Sequence, residues 1–239
     1  MISPLEPRAG RTLVFAPLAW LKLQYFCHAG GTEIGGFGIS DAADLLRVAD
    51  FVPLRQRSTA VTVAFDDDAV ADFVDACVDA GLPQDRFFRV WIHTHPGASV
   101  QPSLTDEETF SRVFGSSPWA IMFILGRTGR TLARLSFHAG PGGSMDLPVA
   151  VDWAGWARVI EDPAFSLSAQ AAQWRAEFAA TIQTPLPDSV PLPFRWEPRD
   201  FHAVPRDARL SARDEDGFLI FFPEEDEADG RSHEHEPGA

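Results

Sequence analysis

Lysine is almost missing from this chain: 19 of its 20 basic residues are arginine, and Lys22 stands alone. Bases of both kinds are outnumbered by 34 acids, for a formal net charge of −14. No basic stripe runs through the sequence, and an acidic body is repelled by phosphate backbones, so no nucleic-acid partner is expected. Cysteine is scarce too. Cys27 and Cys77 are the only two, both among apolar neighbours and neither in a metal-type spacing, which argues against a disulfide framework and for buried small hydrophobes. Apolar runs long enough to span a bilayer are absent. The start, M-I-S-P-L-E-P-R, lacks the charged and then apolar pattern of a secretory signal, so the expectation is a cytoplasmic protein with no membrane partner. No internal repeat is evident.

What is present suffices for one domain with a full core plus appendages: 239 residues, 45% of them hydrophobic. The negative charge is concentrated at the end, where residues 211–239 hold ten acids against two arginines. Six prolines lie between Pro185 and Pro205. These shifts divide the chain into a domain over 1–151, a helical extension over 152–184, and a Pro-rich connector with an acidic, partly disordered tail over 185–239.

Along the first division, residues 11–16 read as a strand and Pro17 opens a buried helix that Gly30 and Gly31 stop. Thr32 to Ser40 suggests a strand weakened by Gly35, Gly36 and Gly38, and glycine in a strand often marks a close approach by another backbone or a ligand. Glu33 is the one ionisable group in these apolar surroundings. Asp50 to Leu54 and Ser58 to Phe65 read as strands, and Asp66 to Asp68 begin a helix that runs to about Ala80. Phe87 to Ile92 return to the sheet, a helix starts near Ser103, Trp119 to Leu125 and Thr131 to Phe137 form a hairpin, and Leu147 to Val151 add a strand. The fold class is therefore α/β, in its α+β form: a mixed, mainly antiparallel β-sheet flanked by helices. In the extension, Trp153, Trp156 and Val159 fall at helical spacing. Ser166 to Ile182 reads as a helix with Leu167, Trp174 and Phe178 facing inward as packing.

The chemistry gathers between Trp91 and Phe110, in W-I-H-T-H-P-G-A-S-V-Q-P-S-L-T-D-E-E-T-F. On a strand, the period of two points His93 and His95 to one face, and Asp106 offers a carboxylate as a third ligand. Two nitrogens and one oxygen leave a tetrahedral Zn²⁺ an open position, the mark of a catalytic rather than a structural site. Each half has a plainer reading alone. Ser103 and Asp106 fit a capping box, and H-x-H fits hydrogen-bonded imidazoles on a half-buried strand. His233 and His235 share the spacing, but a mobile tail must lose conformational entropy to bind, so they are expected to be solvated.

H-x-H, seven residues, then S-x-x-D, with an upstream glutamate in a strand, resembles the signature of the JAMM (MPN-plus, JAB-domain) zinc metallopeptidases. The matching positions are Glu33, His93, Thr94, His95, Ser103 and Asp106, and the resemblance covers about residues 11–150. It implies the MPN architecture, which is cytidine-deaminase-like, and one Zn²⁺ on His93, His95 and Asp106. It further implies Glu33 as the base that takes a proton from the metal's water and hands it to the leaving amine, and Ser103 as donor to the oxyanion. The implied activity is deubiquitinase-like: cleavage after the C-terminal tail of a ubiquitin-like protein, in deconjugation or precursor processing. Activating and conjugating enzymes of the same pathway would be further partners. The short connections point to a compact, prokaryotic type of member. Two other functions stay open: release of a ubiquitin-fold sulfur carrier from an amino acid or peptide adduct, and a non-catalytic MPN scaffold. The related H-x-H-P motif of RadC proteins is set aside by the acidic body. Scarce lysine would spare such an enzyme from the conjugation it edits, beside the simpler explanation of a GC-rich genome.

Overall fold

Pro17 begins the first helix, α1 (Pro17–Ala29), where a missing N–H costs nothing and the fixed φ suits the first turn. The computed structural model describes residues 11–183. The connector from Pro185 to Pro205, the acidic tail and the pair His233 and His235 lie outside the described residues. Strand β1 (Leu13–Phe15) precedes α1; β2 (Ile34–Ser40), β3 (Arg47–Pro53), β4 (Gln56–Ser58) and β5 (Val63–Phe65) follow it. Asp66 then caps α2 (Asp67–Asp79) by accepting from the Ala69 N–H, with Asp67 and Asp68 at the positive end of the helix dipole. The chain continues through α3 (Gln84–Phe87), β6 (Val90–His95), α4 (Leu104–Phe114), β7 (Trp119–Gly126), β8 (Thr131–Phe137), β9 (Gly143–Asp146) and β10 (Val149–Val151). A 3-10 turn (Trp153–Gly155), α5 (Trp156–Ile160), α6 (Leu167–Thr181) and β11 (Ile182–Gln183) complete it.

Eight strands form one sheet in the order β10-β1-β3-β2-β6-β7-β8-β9. Pairing is antiparallel at β3/β2, β2/β6, β7/β8 and β8/β9, and parallel at β10/β1, β1/β3 and β6/β7, so the sheet is mixed and mainly antiparallel, flanked by helices as expected. A second sheet orders β11-β4-β5. The period of two along each strand sends alternate residues into two cores. Ile34, Val90, Ile92, Ile121 and Phe123 join Leu23 and Phe26 of α1 and Trp174 of α6 on one face. Phe37, Trp91, Met122 and Ile124 join Phe65 of β5, Phe73 of α2, Phe87 of α3 and Phe110 of α4 on the other. Both cysteines are buried and unbridged.

Several boundaries differ from the sequence reading, each for a physical reason. The strand expected over Ser58 to Phe65 is a tight antiparallel ribbon, β4 and β5, whose turn is closed by Thr59 N–H to Thr62 O and by the two threonine hydroxyls 2.6 Å apart. Phe87 belongs to α3 rather than to a strand, and β6 instead runs on through both histidines. The last strand begins at Val149, since Pro148 has no N–H for a ladder. β9 and β11 were not expected: Gly143–Asp146 is exposed throughout and carries no apolar alternation. Leu167 is 49% exposed rather than facing inward, while Trp174 is buried and Phe178 half-buried against Phe26. Lys22, the sole lysine, is buried with its Nζ 2.8 Å from Glu177 and 3.8 Å from Asp50, and so ties α1 to α6 and β3. Among the described residues no helix is long and apolar enough to cross a membrane.

Candidate metal centre

β6 carries Trp91, His93 and His95 at alternate positions on the face shared with α4. The two imidazoles stand with ring centroids 5.1 Å apart, and the Trp91 ring lies 4.6 Å behind His93. Thr94, between them, points the other way and accepts from the Ile34 N–H at 3.1 Å, joining β6 to β2 as a support outside the site. After His95 the chain leaves the sheet at Pro96 and Gly97, and the Arg127 N–H donates to both His95 O and Gly97 O.

α4 supplies the third group. Ser103 is its N-cap: its hydroxyl oxygen accepts from the Asp106 N–H at 3.1 Å, while Asp106 Oδ2 accepts from the Ser103 N–H at 2.7 Å. The capping box is real, and it also fixes the direction of Asp106. Oδ2 accepts from the Ser103 hydroxyl at 2.8 Å as well, leaving Oδ1 toward His93. Glu107 pins the same turn to β8 through a two-pronged pair with Arg134.

The ligand atoms of His93, His95 and Asp106 lie within 4.8 Å of one another. His93 Nε2 is 3.5 Å from Asp106 Oδ1, at the outer limit of a hydrogen bond, and both nitrogens of this buried ring lack a hydrogen-bond partner. An unpartnered buried nitrogen costs about 1–3 kcal/mol, and a cation on Nε2 would satisfy one of the two. His95 Nδ1 lies 3.0 Å from Ser99 O, an acceptor only, so the ring proton sits on Nδ1 and Nε2 keeps its lone pair. Burial, helped by the neighbouring His93, pushes the His95 pKa down and favours the neutral ring that ligation needs. Burial opposes the charge on Asp106, but the contact with His93 and the Ser103 hydrogen bonds outweigh it and hold the carboxyl below its usual range. Converging, with His93 and Asp106 buried and His95 half-buried, these donors fit a divalent metal ion.

Glu33, expected inside a strand from Thr32, instead lies just before β2, because its N–H donates to Thr59 O of the ribbon, and it reaches the same place from there. Ile34 pairs with Thr94 and Gly35 with His93, which sets Glu33 beside the end of β6, its Oε1 3.8 Å from His95 Nε2. Its side chain is 13% exposed. Burial first and the Asp106 charge second raise its pKa to about 8, which places it where a carboxyl can both take and release a proton near neutrality. Glu33, Val61, Trp91, His93, Ser103 and Asp106 surround a niche of about 10 Å³, near the smallest space that holds one water.

All five expected residues, Glu33, His93, His95, Ser103 and Asp106, thus meet at one place. Sequence reasoning did not find Ser99, whose carbonyl orients His95, or Gln56 and Thr59, which hold the strand behind Glu33. Ser99 and Thr59 act through backbone carbonyls, which leave no sequence signal, and Gln56 reads as an ordinary polar residue. No family model matches the chain, and neither does any curated protein.

Proposed function

We propose that the chain is a zinc-dependent peptidase of the JAMM type, with the MPN architecture, that hydrolyses the isopeptide or peptide bond after the C-terminal tail of a ubiquitin-like protein. The observation that carries the reading is the convergence of His93, His95 and Asp106 within 4.8 Å, with the Glu33 carboxylate 3.8 Å from His95 Nε2. His93, His95 and Asp106 would hold the ion; when bound, it supplies Lewis acidity toward a carbonyl and lowers the pKa of water.

The protein's own groups divide the rest. Glu33 takes the proton of the attacking water on Oε1 or Oε2 and returns it to the departing amine, so that no acyl-enzyme is needed. Ser103 donates its hydroxyl to Asp106 Oδ2 in this state, which makes it an orienter of the ligand; donation to an oxyanion requires the hydroxyl to rotate away. Trp91, Val61 and Val63 wall the niche and limit water in it.

The test is cleavage by the zinc-loaded chain of a lysine-linked ubiquitin-like conjugate against a C-terminally extended sulfur carrier. Cleavage of the first that disappears in Glu33→Ala supports the proposal. Cleavage of the second alone moves the substrate class to carrier release, and an intact chain with zinc bound that cleaves neither overturns the peptidase reading.

A further inference from the structure

The extension after residue 151 reaches the site from behind. α6 packs on the face of the large sheet opposite the metal centre, through Trp174 in that core and Phe178 against Phe26. At its end the chain crosses over. β11 pairs in parallel with β4, Ile182 opposite Gln56 and Gln183 opposite Arg57, and β4 is half of the ribbon whose Val63 and Phe65 belong to the core on the metal side.

That ribbon is what holds Glu33. Gln56, fully buried, treats Gly35 as a strand partner: its Oε1 accepts from the Gly35 N–H at 2.8 Å and its Nε2 donates to Gly35 O at 2.7 Å. Nε2 also donates to Leu54 O at 2.7 Å, and the Ser58 hydroxyl donates to Oε1 at 3.2 Å, so the amide has no spare capacity. The Glu33 N–H itself donates to Thr59 O, at the start of the ribbon's turn, at 2.7 Å. The ribbon also lies flat on β2. A Cβ at Gly35 would stand 2.7 Å from the Phe65 ring and 3.0 Å from Val63, so glycine is what allows the approach. The backbone on both sides of Ile34 is thus bonded to residues 56–59, and residues 56 and 57 are bonded in turn to β11.

We infer that α6 and β11 form a brace that fixes the β4–β5 ribbon on β2 and thereby sets where the Glu33 carboxylate stands, with Gln56 as the positioning residue that transmits the hold. This rests on the proposed role of Glu33 as proton carrier. β6 and α4 make no strand pairing with the ribbon; the brace reaches the triad only through β2, where Gly35 pairs with His93, and through Val61 and Val63 at the niche wall. The triad is also held from its other side by β7 and by the α4 cap, so loosening the brace should free Glu33 more than the triad.

Amide hydrogen exchange on the full chain, compared between wild type and Gln183→Pro, reads this directly, with Co²⁺ binding followed by absorption alongside. The Glu33 and Gly35 amides are expected to exchange at least about tenfold faster in the variant, with β6 and β7 amides and the Co²⁺ affinity unchanged. Phe178→Ala, which loosens the last turn of α6, gives the same comparison if the proline variant does not fold. Unchanged exchange at Glu33 and Gly35 in a variant that has lost β11, or faster exchange across the whole sheet, overturns the inference. Neither measurement uses a substrate, so a chain that cleaves nothing would fail the proposed function and leave this result to be judged separately.

Discussion

His93, His95 and Asp106 stand on one continuous stretch, β6 and the start of α4, and two of the three are oriented by a residue close in sequence: His95 by Ser99 and Asp106 by Ser103. Glu33 is held by residues drawn from β2, the β4–β5 ribbon and, through β11, the end of the described chain. The ligand half of the proposed site is oriented mainly by nearby residues, although β2, β7 and the Arg134–Glu107 pair also hold β6 and α4; the base half is placed by distant elements. A self-capping helix start depends less on remote pairing than a carboxylate placed by it, which is only as well placed as the elements behind it. Metal binding and proton transfer should therefore separate under mutation.

The largest expected effect is on the ligand half. Asp106→Ala removes one donor of three and should lower metal affinity by more than the roughly 100-fold that loss of an outer partner costs, read by competition with a chelator. Glu33→Gln keeps the shape and removes the proposed base: metal affinity should hold while kcat for the proposed cleavage falls by about 10²–10⁴-fold, and an equal loss of both would merge the halves. Ser103→Ala tests the capping box that serves both fold and site. It should cost about 1 kcal/mol of stability in denaturant unfolding and, by freeing Asp106, about tenfold in metal affinity. The smallest effect concerns Lys22. Held between Glu177 and Asp50, it should resist an amine-reactive acetylating reagent on the native chain, so that intact mass shows no acylation at this position until the protein is unfolded.

The same division explains what could be read from the sequence. H-x-H on a strand and S-x-x-D on a helix start are short-range patterns, and the structure brings those residues together as expected. Helix α2 was legible for the same reason, through Asp66 and its apolar face. The ribbon was not. Thr59, Ala60, Val61 and Thr62 continue the β-branched alternation of a strand, and the turn is closed by threonine hydroxyls rather than by the glycine, asparagine or proline that usually marks one. Gln56 in R-Q-R looks like a surface residue until Gly35 is seen beside it. β9 has no buried side and so no pattern to find. Glu33 itself, just before a glycine-weakened strand, drew its role only from the resemblance; Gly35, opposite His93, is where the ribbon can lie close enough to hold it.

If His93, His95 and Asp106 bind a metal ion that Glu33 does not ligate, zinc stoichiometry on purified wild type, Glu33→Ala and Asp106→Ala is the deciding measurement. About one zinc per chain is expected in the first two and none retained in the third. Folded wild-type chain that takes up no zinc, or a Glu33→Ala chain that loses it as Asp106→Ala does, would contradict the proposed metal site.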